Sequence, residues 1–256
     1  MVIQVTHEGI DYAADLDQPI DISLPIKNGE DNPNCFWAEP VEISTIVVGD
    51  FVGSVAKGGS TNYQRLSMTP HGNGTHTECY GHISADPNAT LDQCLNKYHF
   101  VASLISIPLT TLENGDEIVS FDKFMEHMSN GKVDAVVIRT LPNDPSKKMR
   151  KYSGHNPPYL DARITQYFAD NQIEHLLVDL PSVDRESDEG RLAAHKNFWQ
   201  TEGNIRTTAT ITELVFIEDN TPDGLYLLNI QIPSIVLDAV PSKPVIYPLQ
   251  KLKKLV

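Results

Sequence analysis

The chain has little positive charge and no long apolar run. Its 256 residues contain 20 lysines and arginines against 34 aspartates and glutamates, which gives a formal net charge of −14 at pH 7. Such a surface repels phosphate backbones and anionic lipid, so we expect neither a nucleic-acid partner nor a membrane partner. No stretch approaches the roughly 18 consecutive apolar residues of a membrane span, and the N-terminal segment lacks the basic and apolar regions of a signal peptide. The sequence therefore predicts a cytoplasmic protein.

Cysteine is also scarce. The three cysteines are Cys35, Cys79 and Cys94, and no two of them form a CxxC pair. An odd count at wide spacing argues against a disulfide framework and against a cysteine zinc knuckle, so we expect reduced thiols. Cys79 stands in a histidine-rich segment, but strand alternation predicts that it points away from those histidines as a small buried thiol.

Runs rich in β-branched residues alternate with amphipathic segments. The strand-like runs are STIVVG, FVASLISI, DAVVIRT, HLLVDL, TITELVFI and LYLLNIQI. One helix is predicted from Ser120 to a stop at Gly131, and a second in LDARITQYFADNQ, which starts at Leu160. The basic tail LQKLKKLV, residues 249–256, is predicted as a surface helix or an oligomer contact. Since no repeat or linker divides the chain, we predict one α/β domain, residues 1–256, with a mixed sheet.

Residues 71–83, HGNGTHTECYGHI, hold three of the nine histidines. The three glycines make a helix costly in this segment, so an extended chain is predicted. On a strand, His76, Glu78 and His82 project to one side, and His71 can join them if the glycines let the backbone curl. Imidazole nitrogens and carboxylate oxygens are ligands of Zn²⁺ and Mn²⁺, so the segment predicts a metal site. The alternative is a chance cluster of surface and core histidines.

Two further candidates lie far downstream. Glu213 interrupts the apolar row of Ile211 and Val215 in TITELVFI, and a buried carboxylate needs a compensating partner. The alternative is an edge strand whose Glu213 faces water, and the segment alone does not decide between the two. His195 lies on a predicted short helix in GRLAAHKNFW, where a solvated or packed histidine is the ordinary interpretation.

These segments resemble the cyclase family of metal-dependent hydrolases, which includes bacterial kynurenine formamidase and isatin hydrolase. GTHTECYGH is similar to the family signature HxGTHxDxPxH, and DISLPI is similar to the first strand of the family. VDLPSVD, AAHKNFW and ITELVFIED resemble later segments in the same order, so the resemblance runs from about residue 18 to about residue 230. It implies a swivelling β/β/α-type fold, a homodimer or homotetramer, and one or two divalent ions, Zn²⁺ or Mn²⁺.

The resemblance also implies a role for each candidate residue. His76 and Glu78 match family metal ligands, with glutamate in place of the usual aspartate. His82 matches the histidine that acts as acid or base. His195 and Glu213 match the distant pair that completes the site or binds a second ion, and Glu213 is a candidate for catalysis as well as for metal binding.

The segment departs from the family signature at two further positions. The first family ligand falls on Gly72, so either His71 takes its place as a ligand or that ligand is missing. Tyr80 stands where the family has a proline, which affects the shape of the expected pocket wall.

The predicted function is hydrolysis of a small molecule at a non-peptide C–N bond, in a formamide or a cyclic amide. A divalent ion with an open position lowers the pKa of bound water toward ~7, and the resulting hydroxide attacks the carbonyl. The leaving nitrogen must be protonated, and His82 can supply that proton. Five aromatic residues near the motifs are candidates for an apolar wall, although aromatic residues are more often core: Phe36, Trp37, Tyr80, Tyr159 and Trp199. The alternative function is a non-catalytic metal or small-molecule binding protein on the same fold.

Overall fold

The computed structural model describes residues 1–128 and 131–252, and all elements named below lie in those ranges. The first nine strands are β1 (Val2–His7), β2 (Ile10–Asp15), β3 (Ile20–Asp21), β4 (Glu42–Thr45), β5 (Val47–Val48), β6 (Phe51–Val52), β7 (Gln64–Ser67), β8 (His76–Glu78) and β9 (His99–Pro108). They are followed by β10 (Thr110–Thr111), β11 (Glu117–Val119), β12 (Ala135–Leu141), β13 (Tyr159–Leu160), β14 (His175–Val178), β15 (Thr210–Glu213), β16 (Gly224–Gln231), β17 (Ala239–Pro241), β18 (Lys243–Pro248) and β19 (Gln250–Lys251). The α-helices are α1 (Pro70–Asn73), α2 (Leu91–Cys94), α3 (Phe121–His127), α4 (Ala162–Asp170) and α5 (Ala193–Trp199).

A nine-stranded mixed sheet forms the centre of the protein. Its strands follow the order β17, β8, β15, β14, β12, β9, β16, β18, β3. Strands β9, β12, β14 and β15 are parallel to one another, and antiparallel strands extend the sheet on both sides. The predicted α/β class with a mixed sheet is therefore confirmed, while the assignment of one domain to the whole chain stays a prediction.

The parallel strands are buried on both faces of the sheet. On β12, Val136 and Ile138 join an apolar cluster that includes side chains of α3, α4 and α5. The alternate residues Ala135 and Val137 join a second cluster, which includes side chains of α2 and β16. Because successive strand residues point to opposite faces, a strand covered on both sides needs consecutive apolar residues, and residues 135–138, AVVI, supply them.

Both predicted helices are confirmed, although one ends early. Helix α3 begins after Ser120 and α4 after Asp161, and each of these side chains accepts a hydrogen bond from a backbone N–H of the first turn. Helix α3 ends at His127 rather than at the predicted stop, Gly131, because Met128 adopts an extended backbone and buries its side chain. The two residues after Met128 lie outside the described ranges.

Two of the predicted strands are wrong in extent. STIVVG divides at Ile46 into β4 and β5, and the side chains of Val47 and Val48 are exposed rather than buried in the central sheet. TITELVFI is a strand only as far as Glu213, because Leu214 adopts a left-handed backbone with φ of 56°. The predicted apolar row of Ile211 and Val215 therefore does not continue along one strand.

The C-terminal tail begins as a strand and not as a surface helix, and its predicted alternative role as an oligomer contact stays a prediction. Residues 250 and 251 form β19, which pairs with β2, while residues 253–256 lie outside the described ranges. Among the described helices, none is long and apolar enough to cross a membrane.

Candidate metal centre

Strand β8 brings three of the candidate side chains to one side of the sheet. It lies between β15 and β17, with His76 opposite Glu213 and Glu78 opposite Ile211. Because directly opposed residues share a face, His76, Glu78 and Glu213 all project to the same side of the sheet. Thr77 and Thr212 project to the other side, where their hydroxyls lie 2.8 Å apart. This part of the predicted convergence is present.

His71 reaches the same side from a single helical turn, α1, so the prediction that the glycines exclude any helix is wrong at this point. Gly72 on that turn packs so closely against a neighbouring loop that a Cβ would lie 2.3 Å from the Cβ of Ala38. A ligand side chain at Gly72 is therefore sterically excluded, whereas the ring of His71 lies 5.1 Å from that of His76. Nδ1 of His71 is 3.1 Å from Oε2 of Glu78.

His82 reaches the cluster by a different path from the one predicted. The chain leaves the extended conformation after Glu78, and Tyr80–Ile83 form a 3₁₀ turn rather than a continuing strand. Gly81 permits this turn, since a Cβ there would lie 1.8 Å from the carbonyl oxygen of Ala89. The turn places the His82 ring 4.3 Å from that of His71, with about a third of the His82 side chain exposed.

His195 is buried and held by acids, so the interpretation of a solvated histidine is wrong. It lies on α5, where the carboxylate of Asp184 accepts hydrogen bonds from the backbone N–H groups of Ala194 and His195. Asp184 Oδ2 also lies 2.6 Å from Nδ1 of the His195 ring. The opposite ring nitrogen, Nε2, lies 3.3 Å from Oε1 of Glu78. Asp184 therefore both caps the helix and fixes the orientation of the ring.

Glu213 is buried on an interior strand, so the alternative of a water-facing edge strand is wrong. Only 3% of Glu213 is exposed, and β15 lies between β8 and β14. The backbone N–H of Val183 donates to Oε1 of Glu213 at 3.0 Å, and Oε2 lies 3.4 Å from Nε2 of His76. The N–H of Val183 satisfies one oxygen of Glu213, whereas the other lies beside His76 without a hydrogen bond between them.

Burial and neighbouring charges act in opposite directions on this cluster. Burial lowers the pKa of His195, but the contacts with Asp184 and Glu78 outweigh it and raise the pKa to about 10. The same balance raises the pKa of His71 to about 10, with Asp238 and Glu78 as the acids. Burial raises the pKa of Glu78, yet the nearby imidazoles hold it well below its usual range. In the absence of a metal, Glu78 is thus a carboxylate between protonated imidazoles at neutral pH.

Three atoms of the cluster that could bind a metal are buried without a hydrogen-bond partner among the described residues. They are Nε2 of His76 and both carboxylate oxygens of Glu78, which lie near imidazole nitrogens without the geometry of a hydrogen bond. Three groups of ligand atoms lie within 4.8 Å of one another: His71, His76, Glu78; His71, His82, Asp238; and Glu78, His82, His195. Orphaned buried polar atoms are costly unless a ligand satisfies them, and nitrogen and carboxylate donors suit a divalent transition metal. The residues present therefore fit a divalent ion.

Two carboxylates next to the cluster, those of Asp184 and Asp238, were not predicted from the sequence. Asp184 lies in VDLPSVD, a segment with a family resemblance but no assigned role, so a signal was present. Asp238 precedes β17 and contacts both His71 and His82. Nothing in the pattern around Asp238 distinguishes it from a surface aspartate, because only the pairing of β17 with β8 brings it to the cluster.

The aromatic candidates are divided between the core and the surface. Trp199 is fully buried and donates its indole N–H to a backbone carbonyl, while the hydroxyl of Tyr159 donates to a buried aspartate. Tyr80 is half-buried and packs against both apolar clusters. Phe36 and Trp37 are exposed, each with a left-handed backbone, on the loop that packs against α1. Of the five candidates, these last two are the most exposed.

The three cysteines are buried free thiols, in agreement with the prediction of reduced cysteines. Cys79 belongs to the second apolar cluster, whereas Ile211, which shares a face with Glu78, belongs to the first. Cys79 therefore points away from the histidine cluster, as strand alternation predicts.

Comparison with known proteins gives a match to the family model described as "Putative cyclase" over residues 16–185. Kynurenine formamidase of Bacillus cereus is 27% identical over 232 residues, covering 90% of this chain and 97% of the relative. Kynurenine formamidase of Bacillus anthracis has the same identity over the same length and coverage.

Solved structures show the same fold. A potential metal-dependent hydrolase with cyclase activity aligns with a TM-score of 0.62 at 18% identity, covering 90% of this chain and 98% of that chain. Isatin hydrolase A from Labrenzia aggregata, bound to benzyl benzoate, aligns with a TM-score of 0.62 at 13% identity, covering 90% and 93%. At these identities the similarity establishes the architecture, and the predicted swivelling β/β/α-type fold is confirmed.

Proposed function

The chain belongs to the Cyclase family, and on this premise we propose that it is a metal-dependent hydrolase that cleaves a non-peptide C–N bond in a formamide or a cyclic amide. The convergence of His71, His76 and Glu78, with orphaned buried donor atoms, is the observation that carries the proposal. Relatives named kynurenine formamidase and structural neighbours named isatin hydrolase support the choice of an amide as the substrate.

We assign the ligand set to five side chains: His71, His76, Glu78, His195 and Glu213. When bound there, a divalent ion such as Zn²⁺ or Mn²⁺ activates water at neutral pH and polarises a carbonyl oxygen. Glu78 is central in this arrangement because its two oxygens face different imidazoles, Oε2 toward His71 and Oε1 toward His195. A carboxylate with two free oxygens suits either one ion or a pair of ions.

Glu213 is suited to handle a proton as well as to bind metal. Its Oε1 is fixed by the N–H of Val183, while Oε2 lies beside His76 and has no hydrogen bond to any described residue. This leaves one oriented oxygen on the side of the sheet where the ligands converge. Glu213 can therefore accept a proton from water at that place without moving its backbone.

His82 is the proposed acid. It sits at the rim of the cluster, with about a third of its side chain exposed, whereas His76 is fully buried. An amide nitrogen is a poor leaving group until it is protonated, and the rim is where a bound substrate would present that nitrogen. His82 therefore donates a proton to the departing nitrogen.

Phe36 and Trp37 support a flat apolar substrate. Both are exposed large side chains on a loop whose Cys35 N–H donates to the carbonyl of Gly72, next to His71. Two successive left-handed residues are costly and persist where the surroundings hold them. An aryl group next to the scissile amide would cover these two side chains.

We extend the proposal to an assembly of two or four copies. The segment from β4 to β7 exposes Val47, Val48, Tyr63 and Leu66 to between 55% and 69%. Several large apolar side chains exposed within one segment are more typical of a protein contact than a single one is. Size-exclusion chromatography with light scattering tests this, and a monomer at micromolar concentration contradicts it.

The decisive experiment measures metal content and turnover together. We expect at least one divalent ion per chain after expression in metal-supplemented medium, with hydrolysis of aryl formamides or cyclic amides that a chelator abolishes and Zn²⁺ or Mn²⁺ restores. Protein with stoichiometric metal but no turnover of amides, lactams or esters would instead favour the non-catalytic binding protein. Absence of metal from metal-replete preparations overturns both.

A further inference from the structure

Asp238 joins two members of the cluster through a single oxygen. Its Oδ2 lies 2.9 Å from Nε2 of His71 and 3.4 Å from Nδ1 of His82. The backbone carbonyl of Asp238 accepts a hydrogen bond from the N–H of Cys79, which fixes the residue beside the end of β8. One carboxylate oxygen is therefore shared between a proposed metal ligand and the proposed acid.

We propose that Asp238 is a positioning residue that sets the orientation and tautomer of both His71 and His82. The inference rests on the proposed function, because it takes His71 as a ligand and His82 as the acid. It adds a residue to which no role has been assigned.

The tautomers follow from the fact that a carboxylate only accepts hydrogen bonds. Nε2 of His71 must carry the hydrogen that Asp238 accepts, so in the neutral ring the lone pair is on Nδ1, the atom 3.1 Å from Glu78. An acid that holds one ring nitrogen while the other faces the metal is the usual support for a ligating histidine.

The same reasoning identifies the working nitrogen of His82. Its Nδ1 lies 3.4 Å from Oδ2 of Asp238, so the carboxylate favours a hydrogen on Nδ1 and leaves Nε2 to exchange a proton with substrate. The ring of His82 lies 5.5 Å from that of His195, on the side where the ligands converge. Asp238 thus fixes which edge of His82 faces the reacting bond.

Asp238 has little part in holding the fold. About a third of its side chain is exposed, and within residues 1–128 and 131–252 its carboxylate contacts only these two imidazoles. Asp184 differs, because its carboxylate also accepts two backbone N–H groups of α5. Removing the Asp238 carboxylate should therefore disturb the two rings and not the sheet.

The test compares Asp238→Ala and Asp238→Asn, with Asp86→Ala as a control at an exposed aspartate outside the cluster. Loss of a residue that orients a metal ligand typically costs about 10- to 100-fold in metal affinity or activity, so we expect Asp238→Ala to lower Zn²⁺ affinity and kcat by about that factor. KM should change little. Asp238→Asn keeps an oxygen acceptor and should recover part of both losses, and Asp86→Ala should match the wild type.

Imidazole ¹⁵N spectra of the Zn²⁺-loaded protein give a readout independent of turnover. We expect hydrogens on Nε2 of His71 and on Nδ1 of His82 in the wild type, and a mixture of tautomers for His82 in Asp238→Ala. If the wild type hydrolyses no amide, the proposed function fails while affinity and spectra still test the positioning. If it binds no metal, the same spectra, recorded at a pH at which a titration of the rings shows both to be neutral, still test the positioning.

The inference is overturned if Asp238→Ala keeps the wild-type tautomers, the wild-type Zn²⁺ affinity and the wild-type kcat. If Asp238→Ala does not fold, Asp238→Asn decides: a folded variant with altered His82 tautomers supports positioning, and one with unchanged spectra and kcat overturns it.

Discussion

Strand β15 meets a buried histidine at each of its ends. At the first residue, Thr210, the hydroxyl lies 2.8 Å from Nδ1 of His175. At the last residue, Glu213, Oε2 lies 3.4 Å from Nε2 of His76. His175 is 3% exposed and His76 is 0% exposed. About 10 Å of strand separates the two ends.

The two ends differ in the charges around them. His175 packs on Phe100, with ring centroids 3.9 Å apart, and burial, together with the charge of Arg206, lowers its pKa to about 3. No carboxylate of the described residues forms an ion pair with His175. Near the other end, burial lowers the pKa of His195, which belongs to the same cluster as His76, but contacts with Asp184 and Glu78 raise it to about 10.

This difference teaches what separates a core histidine from a candidate ligand. Burial alone keeps the imidazole neutral and satisfied by a hydroxyl, as at His175. Buried carboxylates that exceed the available hydrogen-bond partners create a set of charged and orphaned donors, as around Glu78. A divalent ion can replace the protons of such a set, so metal binding and protonation compete at one end of β15 only.

The largest effect is expected when two proposed metal ligands, His76 and Glu78, are removed near the Glu213 end of β15. In the double variant His76→Ala, Glu78→Ala we expect loss of bound metal and turnover at the level of the buffer blank, measured by elemental analysis and product formation. The control is His175→Gln, which removes the histidine at the other end and should keep wild-type metal and rate. Full metal content in the double variant would contradict the ligand assignment.

The variant His82→Ala distinguishes the proposed acid from the proposed metal ligands of the cluster. A positioned acid typically contributes ~10²–10⁴-fold in rate, so kcat should fall by about that factor while metal content and thermal stability stay near wild type. His76→Ala, assayed in parallel, should lose both metal and rate. If His82→Ala empties the site of metal, His82 is a ligand and the division of roles is wrong.

Glu213→Gln keeps the shape of the side chain and the acceptor for the N–H of Val183, but removes the charge beside His76. We expect metal affinity or turnover to fall by about 10- to 100-fold with the fold intact. Competition titration with a chromogenic chelator measures the affinity, and circular dichroism checks the fold. Unchanged affinity and turnover would mean that burial of Glu213 serves the fold alone.

The smallest expected effect is the pH dependence of stability in the metal-free chain. His195 and His71 have folded pKa values raised to about 10, so their stabilising contribution is complete below about pH 6.5 and is lost as pH rises toward 10. His175 has a folded pKa lowered to about 3, so its contribution holds above about pH 6.5 and is lost as pH falls toward 3.

Urea midpoints of chelator-treated protein check this pH dependence. His195→Gln should flatten the alkaline part of the profile, and His175→Gln should flatten the acidic part, with a cost of about 1 kcal/mol for the lost hydrogen bond. The idea fails if both variants keep the wild-type profile.

Much of the fold could be predicted because the local signals agreed with the tertiary environment. The apolar run AVVI in DAVVIRT became a strand covered on both faces, and Ser120 capped the predicted helix. STIVVG forms two short strands that divide at Ile46, because β-branched residues indicate extended chain without marking such a break. The end of TITELVFI at Leu214 depends on one left-handed residue that no local pattern marks.

The candidate site was predictable where spacing alone decides direction. His76 and Glu78 stand two residues apart on a strand, so alternation fixes their common face. The prediction that His82 continues the strand was wrong. The chain forms a 3₁₀ turn there, in which Gly81 packs against the carbonyl of Ala89. Asp238 was missed because it reaches the site through strand pairing with a segment some 160 residues away in sequence.

By itself, the sequence determined which residue types were available for chemistry and how the short motif directs them, because the twofold period of a strand is a local property. It also determined the family and the α/β class, through the order of motifs and apolar runs along the chain. Only the tertiary structure decided that Glu213 lies on an interior strand, that His195 is clamped by Asp184, and that His175 is a core residue. Those outcomes depend on which strands pair and which charges meet in a buried volume, and long-range pairing leaves no mark on the residues beside each histidine.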